Sequence, residues 1–263
     1  MDKPQSVFRF EGFTTQSLLN LKSQAVYFGS PTQFNDPYDC ALTSTVRFPD
    51  KVETSELVKE LLEKDDVPNE VKAALRKESL EVTQKSFFDG VTEYQKEYER
   101  ELAEKHGACC FSEANRDLLM WSHYAESGTG FCLEFSTDCE PFNKIRKVKY
   151  SMKMPRVNAL DLVRGTADEA VLDLFCTKST SWSYEREWRA FHKQAGTLFT
   201  YPQKALVAVY FGPDMKRQAT EIICLILKGQ NPDVELWKAH RNPYQFRVDF
   251  ERVDYTAFVD IPK

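Results

Sequence analysis

Apolar residues recur along this chain in two rhythms. Runs in which they alternate with polar residues, or crowd together over a few positions, predict strands at 7–10, 25–29, 108–111, 130–135, 145–150, 186–192, 205–211, 234–239 and 246–253. The run ALVAVYF at 205–211 is the most apolar, which places it in the interior of a sheet. A spacing of three and four predicts helices elsewhere. Leu18, Leu19 and Leu21 mark one at 16–23, with Thr14 or Thr15 as its cap. Others fall at 117–127, closed by Gly128, at 158–165, at 167–178, and at 215–228 after the turn Gly212-Pro213-Asp214.

Residues 51–106 keep the helical rhythm but change composition, being rich in Glu and Lys. Leu57, Val58, Leu61 and Leu62 share a face of a first helix at 52–64, and Pro68 breaks the pattern. A long stripe follows, from Val71 and Leu75 through Phe87, Phe88 and Val91 to Tyr98 and Leu102, crossed by Gly90. The segment reads as a helical insertion with a charged wet face, or as a helix that binds a protein partner. Because helices and strands interleave while the late strands come in succession, the expected fold is α+β. It is a single domain over 1–263, with a mixed, largely antiparallel central sheet and the insertion at 51–106.

The chain has 263 residues, 42% of them hydrophobic, enough for a substantial core. A net charge of -5 argues against coating nucleic acid through bulk charge. No apolar run approaches the roughly 20 residues needed to cross a membrane, and the start MDKPQSVFRF lacks the long apolar stretch of a signal peptide. The seven cysteines are an odd number set mostly in apolar runs, and read as buried free thiols. The expectation is a cytoplasmic protein.

Polar residues stand out against this apolar frame in three places. The loop Asn35-Asp36-Pro37-Tyr38-Asp39 puts two carboxylates into a turn. They suit a cation, a ribose hydroxyl or plain capping of the turn. The helix at 117–127 carries Trp121, His123 and Tyr124. Trp121 and Tyr124 share a face and form a candidate pocket wall, whereas His123 is a candidate catalytic group that points about 100° away from Tyr124. Ser112, His123 and an acid are the components of a nucleophilic triad, but Ser112 lacks the Gly-x-Ser-x-Gly elbow. Glu134 is a strand carboxylate that needs a partner. The third place is KSTSWSYEREWR at 178–189. A continuous strand would aim Glu185, Glu187 and Arg189 at one face, where burial is costly unless they pair or line a ligand cleft.

Metal signals are poor. Cys109 and Cys110 are adjacent rather than spaced as CxxC, the histidines are scattered, and no metal is expected. Neither a dinucleotide-fold glycine fingerprint nor a P-loop is present.

Five blocks in order carry a family resemblance: Phe8-Arg9, YFGSPTQFNDPYD at 27–39, CFS at 110–112, MWSHYAESGTGFCLEF at 120–135, and KSTSWSYEREWR at 178–189. Together they resemble the bacterial family called domain of unknown function 2971. That resemblance covers most of the chain outside 51–106, and it implies a fold neighbourhood rather than a mechanism. The order of elements is also similar to that of ADP-ribosyltransferases: an early strand with Arg, an aromatic strand, and a late strand entered by Glu-x-Glu. By that likeness Arg9 would hold NAD, Tyr27 or Trp182 would stack on nicotinamide, and Glu187 or Glu185 would be the catalytic carboxylate.

Three readings follow. The first is an enzyme using NAD or another nucleotide. Its catalytic candidates are Glu187, Glu185, Arg9 and His123. Its cofactor-binding candidates are Arg9, Tyr27, Asn35, Asp36, Trp121, Tyr124, Trp182 and Arg189. The second is a metal-dependent hydrolase or nuclease that gathers Asp36, Asp39, Glu185 and Glu187 around an ion. The third is a non-enzymatic ligand- or partner-binding protein in host defence or stress; a stress or phage-defence role belongs to the first reading as well.

Overall fold

The structure, a computed structural model, describes residues 3–36, 38–41, 45–164 and 172–254. In chain order its elements are β1 (Ser6–Glu11), α1 (Thr15–Lys22), β2 (Ala25–Phe28), β3 (Thr45–Arg47), α2 (Lys51–Glu63), α3 (Asn69–Lys77) and α4 (Leu80–Lys105). Next come β4 (Gly107–Ser112), α5 (Leu118–Tyr124), β5 (Phe131–Ser136), β6 (Arg146–Lys147), β7 (Lys149–Ser151), β8 (Arg156–Asn158) and α6 (Ala159–Arg164). The last are β9 (Thr177–Ser179), β10 (Glu187–His192), β11 (Thr197–Thr200), β12 (Leu206–Phe211), α7 (Arg217–Lys228), β13 (Glu235–Arg241) and β14 (Val248–Arg252). The fold is α+β. The chain divides into a unit of Met1–Gln33, Lys105–Tyr150 and Thr180–Lys263, and a unit of Phe34–Glu104 and Ser151–Ser179.

The first unit is built on an eight-stranded sheet in the order β14-β13-β12-β5-β1-β4-β10-β6. Its neighbours run antiparallel except β12 and β13, which are parallel and joined through α7, the long crossover that parallel pairing requires. The apolar run of β12 is interior, as its sequence predicts. Residues paired across strands share a face, so the registers sort the side chains. One face carries Val7, Phe111, Leu133, Phe135, Val209 and Phe211 in a core shared with Leu21 of α1 and Ile223, Cys224 and Leu227 of α7. The other carries Phe10, Cys132, Ala208 and Tyr210, packed with Met120, Trp121 and Ala125 from the α5 region. Each such large side chain contributes about 1.5–3 kcal/mol when fully buried.

Boundaries shifted where backbone geometry overrode pattern. The helix expected to Ser127 stops at Tyr124, because Glu126 and Ser127 adopt left-handed φ values of 47° and 56°. The chain then passes through Gly130, where a Cβ would lie 2.2 Å from the Glu11 carbonyl oxygen, so only glycine fits. The strand expected at 145–150 is split between β6 and β7. The helix expected at 167–178 falls partly outside the described residues, and its end gives way to β9.

The second unit contains α2, α3, most of α4, α6 and the parallel pair of β3 with β8. Asp50 caps α2 by accepting from the Val52 and Glu53 amides, with the Glu53 side chain returning a bond to the Asp50 amide. Leu57 and Val91 are buried, in line with their helical spacing. The long helix expected over 70–106 is interrupted between α3 and α4, at Glu78 and Ser79.

Candidate functional site

Polar groups collect on the α5-covered face of the first unit. In register, Glu187 of β10 lies opposite Ser112 of β4, and Ser112 opposite Phe8 of β1; Arg189 lies opposite Cys110. Glu187 and Arg189, two apart on one strand, point the same way and close a bidentate pair, with Nε to Oε1 at 2.7 Å and Nη2 to Oε2 at 2.8 Å. The Arg189 side chain has no exposed area and that of Glu187 has 5%. A pair this deep is held by geometry, and removing one partner costs roughly 3–5 kcal/mol because the other charge stays buried. The Glu187 amide donates to the Tyr150 hydroxyl at 2.8 Å, and its carbonyl accepts from the Val148 amide at 2.9 Å.

Glu185 does not join that pair. Residues Thr180–Glu185 form a 3-10 turn, and Arg186 takes a left-handed φ of 46° before the strand begins. That residue breaks the alternation that would have aimed Glu185, Glu187 and Arg189 at one face. The conformation is pinned by the Arg186 carbonyl, which accepts from the Glu113 amide at 3.0 Å. Glu185 is buried, and its Oε1 accepts a short bond of 2.5 Å from the Tyr124 hydroxyl of α5. The turn that ends in Glu185 also carries Trp182 and Tyr184, both half-buried, with ring centroids 6.1 Å apart. His123 lies exposed on α5 with its ring 6.4 Å from that of Tyr184. The buried Glu185 thus ends a turn whose rings, with that of His123, stand in a row.

The remaining candidates take other places. Arg9 points to the opposite face of the sheet from Glu187, since its register partner is Leu133 of the α1/α7 core. There it bonds Glu11 at 2.5 Å and Cys109 Sγ at 2.8 Å, so one cleft holding both Arg9 and Glu187 is ruled out by the pleat. Burial pushes the Cys109 thiol up to about 11. Tyr27 lies on β2, in a two-stranded ribbon with Leu198 of β11, and its neighbour Gly29 bridges to Ala108 at the far end of β4 from Ser112. That separation is about 13 Å along the strand. Trp121 is a core residue and not a pocket wall: it is buried, meets Phe10 edge-on at 5.2 Å, and donates its indole N–H to the Asn115 carbonyl at 2.7 Å. Ser112 is likewise structural, donating to the Glu185 carbonyl at 2.6 Å, while His123 is exposed, so the nucleophilic triad is not assembled. Glu134 finds its partner in the Tyr210 hydroxyl at 2.6 Å, and burial together with that carboxylate raises the phenol's pKa.

In the second unit Asp36 and Asp39 are buried and Asn35 is exposed. Asp39 pairs with the buried Lys178 at 3.2 Å. Among the described residues no group of three or more His, Cys, Asp or Glu side chains is placed to hold a metal ion.

Residues 120–190 match the sequence profile of the family described as "Protein of unknown function (DUF2971)". The family resemblance holds over this segment. No curated protein and no solved structure matches the chain. The matched segment contains most of α5, β5, the 3-10 turn and the Glu187–Arg189 pair, and so spans both glutamates, Tyr124 and the ring row. Three of its contributors were missed by sequence reasoning. Tyr184 had a visible signal, an aromatic inside a polar turn. Arg186 and Tyr150 had none, because a left-handed φ and a hydroxyl under a strand amide arise only on folding.

Proposed function

We propose that the chain is an enzyme that uses NAD or a related nucleotide in glycosyl or ADP-ribosyl transfer, with Glu185 as the catalytic carboxylate. One observation carries this reading: Glu185 is buried, accepts from the Tyr124 hydroxyl, and ends the turn that bears Trp182 and Tyr184. A carboxylate beside aromatic rings suits a ligand with a planar ring on a ribose, the rings stacking and the carboxylate accepting from ribose hydroxyls. NAD supplies an activated bond between nicotinamide and ribose. Glu185 would oppose the positive charge that develops on the sugar as that bond lengthens, and the low-dielectric surroundings would strengthen the effect. Tyr124 would fix the carboxylate's orientation. The exposed Arg186 offers a cation for the diphosphate. Glu187, with both oxygens on Arg189, is assigned to positioning the strand rather than to chemistry.

The test is incubation of the purified chain with NAD, read by calorimetry and by mass spectrometry of released nicotinamide. Wild type is expected to bind and release; Glu185→Gln should bind NAD and release none, with an unchanged melting temperature. Absence of both binding and release in the wild type would overturn the reading, and so would undiminished release by Glu185→Gln. The metal-hydrolase alternative is less well supported, because Glu187 and Asp39 are each already matched by a protein cation.

A further inference from the structure

One transverse row of the first unit's sheet carries carboxylates on the α5-covered face. Register aligns Glu187 with Ser112, Ser112 with Phe8, Phe8 with Glu134, Glu134 with Ala208, and Ala208 with Glu235. Residues so aligned share a face, and direct partners are side-chain neighbours. The α5 helix packs over the next row, where Trp121 meets Phe10, and leaves Phe8 and Glu134 half-buried. Glu134 Oε2 accepts from the Tyr210 hydroxyl at 2.6 Å. Its Oε1 has no donor among the described residues and is not a buried atom. Phe8, the direct partner of Glu134, meets Tyr210 edge-on at 6.2 Å.

The Glu185 turn is tied to the same row, because Ser112 donates to the Glu185 carbonyl at 2.6 Å. Glu185 and Glu134 each accept from a tyrosine hydroxyl. Ser112 and Glu134 are separated by two strand spacings, about 10 Å. A carboxylate with an open oxygen next to an aromatic ring suits a ribose and its base: the sugar hydroxyl donates to the carboxylate and the base lies on the ring. Two such places on one face of one sheet call for a ligand with two riboses.

Resting on the nucleotide reading of Glu185, we propose that Glu134 binds the second ribose of a dinucleotide by accepting from its 2′-hydroxyl, and so makes the site selective for NAD over NADP. A phosphate on that hydroxyl removes the donor and sets a dianion against a carboxylate. A 2′-phosphate is accommodated by a nearby arginine, and Arg9 of the adjacent strand points to the opposite face. The next charged side chain along the row is Glu235, a second acid, and Arg252 already stands 3.7 Å from it.

The experiment follows nicotinamide release by the full chain from NAD, from NADP and from nicotinamide mononucleotide, which lacks the second ribose. Wild type is expected to favour NAD over each of the others by about tenfold or more in kcat/KM, the effect of one hydrogen bond to a charged group. Glu134→Gln keeps an oxygen for the Tyr210 hydroxyl, so its melting temperature should hold. It should cut both preferences by about tenfold, and Glu134→Arg should reverse that between NAD and NADP. A purely structural role for Glu134 would lower release from all three substrates alike and leave the ratios in place. The proposal is overturned if wild type uses NADP or the mononucleotide as well as NAD, or if Glu134→Gln keeps the wild-type ratios; the Glu185 reading survives either result. Absence of release from all three by wild type overturns both.

Discussion

Glu185 and Glu187 stand on either side of Arg186 and meet opposite circumstances. Glu187 opens a regular strand, where i and i+2 share a face, so Arg189 is delivered to it with both nitrogens in reach. Glu185 closes a 3-10 turn on the other side of a left-handed residue and meets a phenol from α5. On the strand the carboxylate meets a guanidinium, and at the turn one carboxylate oxygen accepts from a phenol. The same contrast recurs in the second unit, where Asp39 has Lys178 and Asp36 has only a backbone amide on one oxygen.

The largest expected effect attacks the closed side of this comparison. Arg189→Met takes the guanidinium away from the buried Glu187 carboxylate, and should cost about 3–5 kcal/mol in urea unfolding. The double variant Glu187→Leu with Arg189→Met should recover most of that loss; failure to recover would mean the pair does more than neutralise itself. Next comes the residue that separates the two glutamates. Arg186→Val forces a β-branched side chain into a left-handed backbone and should cost about 1–3 kcal/mol, while Arg186→Gly should be near neutral. Equal melting temperatures for the two variants would remove the left-handed residue from the account. On the turn side, Tyr124→Phe deletes one hydrogen bond to Glu185 and should cost about 1 kcal/mol, well short of the Arg189 effect.

The smallest effect concerns Glu113, whose carboxylate is held below the usual range by the Lys147 side chain at 2.7 Å and by the Trp188 indole. Its folded pKa is depressed, so the stability it contributes is present above the unfolded glutamate value and is lost as pH falls through the folded one. Lys147→Met should raise the Glu113 titration midpoint followed by NMR and narrow that acid window. An unmoved midpoint would show that the indole and Arg186, without Lys147, set it.

Much of the fold was legible in the residue pattern. The β12 run ALVAVYF announced an interior strand, Leu57 and Val91 announced buried helix positions, and the successive late strands announced an α+β sheet. The site was legible only in part. KSTSWSYEREWR stood out as polar residues in a buried register, and strand periodicity put Glu187 and Arg189 on one face without deciding between a pair and a ligand cleft. The same periodicity misassigned Glu185, because nothing in the letters YER marks a left-handed arginine; the Glu113 amide under its carbonyl belongs to a segment far away in sequence. The places of Trp121 and Arg9 were hidden for a related reason. Their types suit a ligand site, but which face of the sheet receives them depends on register, and register is settled by pairing between distant strands.

The sequence by itself therefore determined most of the sheet strands and helices, though not their ends, and which residues were too polar for their surroundings, since both follow from local periodicity and from the cost of burying charge. Tertiary structure alone decided which polar residues met. It set Arg9 with Glu11 and Cys109 on one face, and Glu187 with Arg189 on the other. It also gave Glu185 to Tyr124 and left one oxygen of Asp36 without a donor. The physical reason is that hydrogen bonds and ion pairs act over a few ångströms, and only the folded backbone brings residues from distant segments within that reach.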